Sequence, residues 1–214
     1  MKLSSLNKFD RIAHVYDWLA KVFIGEDIRH AQRFFLHEIS DAKRILIIGG
    51  GTGWILHDIG KINPTAEILY VEASSSMIDM AKQININNPI TFLHGIESDV
   101  DTQSKFDAVI TNFYVDLFSD ASLEQKIKII LPLLDVNGKW LVTDFVQSKN
   151  VYHRFLLWTM YLFFRVVTNI EARSMPQWLE CMTRENLDVL KKQFFRNGFI
   201  CSLVFRRGLK SAKH

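Results

Sequence analysis

The stretch ILIIGGGTG, residues 45–53, decides the fold of this 214-residue chain. Four branched apolar residues in succession predict a strand that is buried on both faces, as in a parallel sheet. The glycines begin where that strand should end, and WIL at residues 54–56 begins an apolar pattern that suits a helix. Strand, glycine-rich turn and helix together predict a nucleotide-binding corner, because glycine lets a ligand approach the backbone and a helix start offers free N–H donors. A glycine-rich turn that binds no ligand is the alternative.

The spacing of the glycines narrows the class of ligand. Dinucleotide-binding turns follow the pattern G-x-G-x-x-G, in which the third glycine eases the contact between helix and strand. Here that position holds Trp54, whose indole is too large for such a contact. The pattern G-x-G-x-G instead resembles motif I of the class I S-adenosylmethionine-dependent methyltransferases. This resemblance implies S-adenosyl-L-methionine as cofactor, and Ile47 stands where the family commonly has a loop-orienting acid. The implied cofactor-binding glycines are Gly49, Gly50, Gly51 and Gly53.

A second anchor for the cofactor follows in the sequence ILYVE, residues 68–72. Glu72 lies 23 positions after Gly49 (72 − 49), near the roughly 20 expected for a ribose-binding acid. Its carboxylate would accept hydrogen bonds from both ribose hydroxyls; an ordinary acid at a strand end is the alternative. The segment resembles motif II of the same family, which implies that Ala73 and Met77 flank the adenine.

Three further segments resemble motifs of this family in the expected order. HGIE at residues 94–97 occupies the place of the G-D-A motif, with Gly95 in common. Ile96 replaces the acid that often holds the adenine amino group, so Glu97 or backbone groups would serve instead. Residues 106–113 resemble motif IV, which implies that Asn112 and Phe113 border the methyl group. Residues 133–142 resemble the turn into the fifth strand.

Two apolar segments lie outside these motifs. FDRIAHVYD at residues 9–17 resembles the opening of the branch with quinone-ring and other small-molecule methyltransferases, which implies that Tyr16 closes over the sulfonium. An amphipathic helix that simply covers the core is the alternative. Residues 155–167 are almost wholly apolar but shorter than the roughly 20 residues that cross a bilayer. They predict a lid, a subunit interface, a helix on a membrane surface or a core helix, and a lid would imply an apolar or aromatic acceptor.

Strands and helices alternate along the chain, which predicts an α/β fold with a mostly parallel sheet. We expect helices at 75–85, with Ser74 as N-cap, and at 122–134, and strands at 90–93, 106–112 and 139–145 after a turn at Asn137 and Gly138. The resemblance implies a Rossmann-like, doubly wound sheet of seven strands in the order 3-2-1-4-5-7-6, with the last strand antiparallel. Thr183 is interpreted as the N-cap of a helix that ends at residues 197–198. Residues 200–205 are interpreted as strand six, and 209–213 as a short final strand.

Length and composition predict a single domain in four parts: a helical cap (1–42), a cofactor-binding core (43–146), a helical lid or insertion after strand five (147–185), and a C-terminal helix with strands (186–214). A hydrophobic content of 48% with 23% charged residues is globular, and a net charge of +3 argues against nucleic acid. Cys181 and Cys201 match neither a disulfide framework nor a metal site. No secretory signal is recognised, so we expect a cytoplasmic protein.

The sequence therefore predicts methyl transfer to a small, apolar or aromatic acceptor by in-line displacement. His14, Tyr114, Asp116 and His153 are weak candidates for a catalytic base, and none has a neighbour in sequence that marks it as activated. A non-catalytic protein that binds S-adenosylmethionine or S-adenosylhomocysteine is the main alternative. An NAD-dependent Rossmann oxidoreductase is a weaker one. The expected partner is the small-molecule acceptor, with the chain a monomer or homodimer and peripheral membrane contact left open.

Overall fold

The computed structural model describes residues 26–147, 150, 151, 153, 154, 157 and 176–208. Seven strands in this part of the chain form one sheet in the order β3-β2-β1-β4-β5-β7-β6. The strands are β1 (Arg44–Ile48), β2 (Glu67–Glu72), β3 (Ile90–His94), β4 (Phe106–Asn112), β5 (Leu134–Phe145), β6 (Leu187–Phe195) and β7 (Ile200–Arg207). The helices are α1 (Glu26–Arg33), α2 (Ile55–Ile62), α3 (Ser75–Ala81), α4 (Asp120–Ile130) and α5 (Trp178–Arg184). Short 3-10 turns cover Leu36–Ile39, Glu97–Asp99, Val115–Leu117 and Leu131–Leu133.

The central strand β1 explains why both faces of the sheet are covered. It pairs in parallel with β2 on one side and with β4 on the other. Ile45 and Ile47 point into the core shared with α2, whereas Leu46 and Ile48 point into the core shared with α4 and α5. All four are buried, as their apolar run predicts. The doubly wound fold class is confirmed.

The strand directions confirm the predicted topology. Strands β3, β2, β1, β4 and β5 are mutually parallel, and β7 runs antiparallel between β5 and β6. Glu72 pairs with His94, and Asn112 pairs with Thr143, so the parallel strands end at one common edge. Ligands of open α/β sheets bind at this carboxyl edge.

The C-terminal elements differ from the sequence prediction. Thr183 lies inside α5, where its hydroxyl donates to the Leu179 and Glu180 carbonyls, and is not an N-cap. The chain then turns at Asn186, which adopts a φ of 63°, and residues 187–195 form an edge strand where a helix was predicted. Residues 200–207 are consequently the seventh strand, not the sixth. The predicted final strand at 209–213 lies outside the described residues, and the sheet already has seven strands without it.

Other boundaries differ by a few residues. The Ser74 hydroxyl accepts the Met77 N–H at 3.4 Å, which confirms the predicted N-cap of α3, but this helix ends at Ala81 instead of residue 85. Helix α4 covers 120–130, and a 3-10 turn follows it. Strand β5 begins at 134, so that Asn137 and Gly138 lie within it, at a shift in its register with β4.

Some predictions fall on residues that the structure does not describe. They include the proposed cap residues His14 and Tyr16 and most of the apolar segment 155–167. Within the described ranges, none of the helices has the length and apolar character that a bilayer span requires.

Candidate functional site

The glycine-rich turn lies at the carboxyl end of β1, directly before α2. Gly49, Gly51 and Gly53 have φ values of 65°, 64° and 80°, a region that favours glycine because it has no Cβ. A Cβ at Gly49 would lie 2.7 Å from Cδ2 of Tyr114, and one at Gly53 would lie 2.7 Å from Cβ of Ala81. A Cβ at Gly51 would meet no atom within 4 Å. The turn is therefore packed against protein at Gly49 and Gly53 and open at Gly51.

Glu72 lies beside this open position, at the end of β2. Its side chain is only 8% exposed, and its two oxygens accept different backbone N–H groups. Oε2 accepts from Gly51 at 2.9 Å, and Oε1 accepts from Ser74 at 2.9 Å. The acid predicted to bind the ribose is thus brought to the glycine turn in a fixed orientation.

The predicted adenine side lies across the ends of β2 and β3. Ala73 is exposed, Met77 is partly buried, and the Ile96 side chain is 43% exposed. Asp99, which sequence reasoning missed, accepts the Ile96 N–H at 2.8 Å, and a Cβ at Gly95 would lie 2.5 Å from the same carboxylate oxygen. Asp99 therefore fixes the backbone at this position, and a larger residue at 95 would require the Asp99 carboxylate to move.

Glu97 points into the protein interior. Its carboxylate is 1% exposed; Oε2 accepts from the Tyr114 hydroxyl at 2.5 Å, and Oε1 accepts from Nζ of Lys126 at 2.6 Å. Burial and the adjacent Glu97 carboxylate raise the pKa of Tyr114, which stays protonated as the donor. The ring of Tyr114 lies against Gly49. The structure thus brings Glu97 to the underside of the glycine turn and not to the exposed adenine side.

The loop after β4 is held by a buried aspartate from the neighbouring strand β5. Oδ2 of Asp144 accepts the N–H groups of Tyr114, Val115 and Asp116 at 3.1, 2.9 and 3.3 Å. Phe113 has a φ of 51°, which is uncommon for a residue with a side chain, and its N–H donates to the Thr143 carbonyl at 2.8 Å. The end of β4, with Asn112 and Phe113, is thereby fixed beside the glycine turn.

Asp116 and Asp144 form a buried carboxyl pair beneath this loop. Both side chains are essentially inaccessible, and they share a hydrogen bond. Burial raises the pKa of both groups, that of Asp116 to about 7, and the neighbouring Asp116 raises the pKa of Asp144 further. Four backbone N–H groups donate to Asp144 and offset part of the rise in its pKa, and the pair binds a proton at acidic pH. Asp116 is therefore buried beneath the loop after β4, where solvent does not reach it.

An aromatic run leads from the end of β4 to His153. Ring centroids are 4.8 Å apart between Phe113 and Phe145, 4.8 Å between Phe145 and Phe199, and 4.4 Å between Phe199 and His153. The His153 ring is buried and stacks on Phe199 at an interplanar angle of 20°. The carboxyl edge is therefore polar at β2 and aromatic beyond β4.

The structure brings together most of the residues that the sequence predicted for the cofactor. Those that lie at the carboxyl edge are Gly49, Gly50, Gly51, Gly53, Glu72, Ala73, Met77, Gly95, Ile96, Asn112 and Phe113. Sequence reasoning missed Tyr70 and Lys126 as well as Asp99. Lys126 lies on an ordinary charged face of a helix, and Tyr70 lies in an apolar strand. Nothing in the sequence around either residue indicates a role in the site.

The comparisons with known proteins agree with this geometry. Residues 45–138 match the family model described as "Methyltransferase domain". Two curated relatives are malonyl-[acyl-carrier protein] O-methyltransferases. The one from Priestia megaterium is 29% identical over 144 residues, which is 64% of this chain and 50% of the relative. The one from Bacillus anthracis is 30% identical over 106 residues, which is 49% of this chain and 38% of the relative. The chain thus spans half or less of the length of these relatives.

A solved structure with the same fold is the 1,6-didemethyltoxoflavin-N1-methyltransferase of Burkholderia thailandensis, with bound 1,6-didemethyltoxoflavin and S-adenosylhomocysteine. Its TM-score is 0.67 at 12% identity, and the match covers 96% of this chain and 89% of that one. At this identity the likeness concerns the fold. The match over residues 45–138 and the order of the strands make the chain similar to the class I methyltransferases in sequence motif and in fold.

Proposed function

We propose that this protein transfers a methyl group from S-adenosyl-L-methionine to a small, apolar or aromatic acceptor. The observation that carries the proposal is the open position at Gly51 beside the buried Glu72 carboxylate. Both residues lie at the carboxyl edge of a parallel sheet, where nucleotide-type ligands bind. The names of the relatives, which are methyltransferases, point the same way.

The residues at this edge fit the adenosine part of the cofactor. A carboxylate oxygen has two lone pairs, and each oxygen of Glu72 accepts one backbone N–H, so each keeps one for a ribose hydroxyl. Ala73, Met77 and Ile96 offer apolar surface for the faces of the adenine, and the glycine turn would approach the methionine portion. Because Glu97 is paired with Lys126 and Tyr114, we assign recognition of the adenine amino group to the backbone carbonyls at residues 95–96.

The cofactor would supply a sulfonium methyl group that is already activated, so the work of this chain is mainly alignment. Asn112 and Phe113 would lie nearest the acceptor. Phe113 is a partly exposed aromatic side chain at this end of β4 and is packed against the buried ring of Phe145, which supports an apolar or aromatic acceptor.

A catalytic base is needed only if the accepting atom carries a proton of high pKa. Tyr114 and Asp116 are poor choices, since the phenol donates to Glu97 and the aspartate is buried against Asp144. His153 and His14 remain candidates, and we assign the role to neither.

The cofactor assignment is tested by calorimetry with S-adenosylhomocysteine. Glu72→Gln removes the charge with little change of shape, and we expect its dissociation constant to rise about tenfold because charge-assisted hydrogen bonds are lost. Glu67→Gln is the matched control, since Glu67 is an exposed acid at the other end of the same strand. An absence of binding by the wild-type protein would refute the assignment.

The transfer itself is tested by a methyl-transfer screen over phenols, quinols and lipids. A non-catalytic cofactor-binding protein is the second candidate function, and the apolar residues Ile47 and Ile96 favour it because the family commonly has acids there. Product formation with any acceptor class would exclude this second candidate. Tight binding of S-adenosylhomocysteine with no transfer to any of the three classes would favour it.

A further inference from the structure

Two side chains of β2 hold Gly51 from opposite ends. The Tyr70 hydroxyl donates to the Gly51 carbonyl at 2.8 Å, while Glu72 accepts the Gly51 N–H at 2.9 Å. Residues two apart on a strand lie on the same face, so both side chains reach the turn from one direction. The peptide groups on either side of Gly51 are thus both oriented by β2.

Tyr70 is itself fixed by its surroundings. Its side chain is fully buried, and a Cβ at Gly50 would lie 2.2 Å from its Cζ, so the ring packs directly beneath the turn. Its other ring neighbour is Phe92, at a centroid distance of 5.3 Å. In the strand register Tyr70 pairs with Ile47, whose apolar side chain offers no polar atom to the turn. Of this pair, Tyr70 supplies the hydrogen bond.

The phenol is suited to hold a carbonyl permanently. Burial, together with the charge of Glu72, raises the pKa of Tyr70, so the hydroxyl keeps its proton over the whole physiological range. Its loss would leave the Gly51 carbonyl without this donor and would free the turn to move relative to Glu72. Because Glu72 accepts from the same residue, such a movement would also change the direction in which its carboxylate points.

We propose that Tyr70 is a positioning residue that sets the glycine turn and the Glu72 carboxylate in the relative orientation needed to bind the ribose of the cofactor. The inference rests on the proposed function, because it concerns the same site. Tyr70 does not touch the ligand; it acts through Gly51.

Calorimetry with S-adenosylhomocysteine tests this role with Tyr70→Phe, which keeps the ring beneath Gly50 and removes only the hydroxyl. We expect the dissociation constant to rise about threefold to tenfold, the range for one neutral hydrogen bond. Ser202→Ala is the matched control, because its buried hydroxyl also donates to a backbone carbonyl, that of Ala31 at 2.8 Å, but in β7. The control should lower the unfolding midpoint while leaving the dissociation constant unchanged.

A double-mutant cycle separates positioning from general destabilisation. If Tyr70 acts by aligning Glu72, then Tyr70→Phe should weaken binding by less than twofold in a Glu72→Gln background. An equal loss in both backgrounds, or an unchanged dissociation constant for Tyr70→Phe alone, overturns the inference and leaves the proposed function intact. If the wild-type protein does not bind S-adenosylhomocysteine, the proposed function and this inference fail together.

Discussion

The buried carboxyl pair beneath the β4 loop makes a quantitative prediction about pH. Asp116 is inaccessible, and the titratable group that faces it is Asp144, whose carboxylate accepts four backbone N–H groups. If Asp116 holds the shared proton, then Asp116→Asn imitates its protonated state, because the amide can donate to Asp144 in the same way. The substitution should therefore be mild at low pH.

The magnitude follows from the pKa of Asp116, which burial raises from 3.8 to about 7. Between these two values the folded protein binds a proton that the unfolded chain has released, so stability decreases as the pH rises. The stabilisation is fully present below pH 3.8 and is lost by the time the pH has passed through 7. One pKa unit corresponds to about 1.4 kcal/mol, which gives a loss of about 3 kcal/mol between pH 5 and pH 8. Asp116→Asn has no such group to titrate.

Urea unfolding followed by tryptophan fluorescence at pH 5, 6, 7 and 8 measures this difference. Relative to the wild type, Asp116→Asn should gain about 3 kcal/mol of unfolding free energy from pH 5 to pH 8. Asp41→Asn, at an exposed aspartate before β1, is the control and should track the wild type throughout. A constant difference between Asp116→Asn and the wild type at all four pH values would show that Asp116 does not titrate between pH 5 and pH 8, and would refute the reasoning.

Three further substitutions test the supports of the site. Lys126→Met leaves the Glu97 carboxylate buried without its cation and should cost about 3 kcal/mol at pH 7. An unchanged midpoint in urea unfolding would contradict this. Gly50→Ala places a methyl group 2.2 Å from Cζ of Tyr70 and should destabilise the fold by about 2 kcal/mol, visible as a lower midpoint in thermal unfolding. Ser74→Ala removes the cap of α3 at a cost of about 1 kcal/mol, and an unchanged urea midpoint would show that the 3.4 Å bond contributes nothing.

The parts of the fold that could be predicted from sequence are those with a local pattern. The apolar run of β1 followed by glycines predicts the central strand and its turn, because a strand buried on both faces requires such a run. The position of Glu72 beside the glycine turn could be predicted from the number of residues that separate it from Gly49. The order of the strands came from the resemblance of several motifs in series to one family, not from any single pattern.

The C-terminal strand could not be predicted in this way. In β6 only Leu187 is fully buried, and Val189, Leu190 and Phe194 are all substantially exposed. An edge strand of this kind lacks the alternation that marks a half-buried strand, and its apolar residues at 187, 190 and 194 fit a helical spacing equally well. Its conformation is decided by pairing with β7 along its whole length, a contact that is not visible in the local sequence.

The supporting roles of Tyr70 and Asp144 in the candidate site could not be predicted, for a related reason. Tyr70 bonds a carbonyl 19 positions earlier, and Asp144 bonds amides about 30 positions earlier. Whether such a side chain reaches a given loop depends on the strand register, since a shift by one residue would turn it to the opposite face. The sequence alone indicates a buried tyrosine and an acid at the end of a strand. The structure shows which backbone groups each side chain bonds.

The same arrangement occurs twice at the carboxyl edge. The turn after β1 is held by Tyr70 and Glu72 from β2, and the loop after β4 is held by Asp144 from β5. Neighbouring parallel strands end at the same edge of the sheet. The last side chains of one strand therefore face the backbone of the loop that follows the neighbouring strand. The glycine turn therefore does not depend on a polar residue in its own strand, and Ile47 can pack in the core. It follows that the missing acid at Ile47 alters the groups offered to the methionine end of a ligand, while the turn that would receive the ligand keeps its shape.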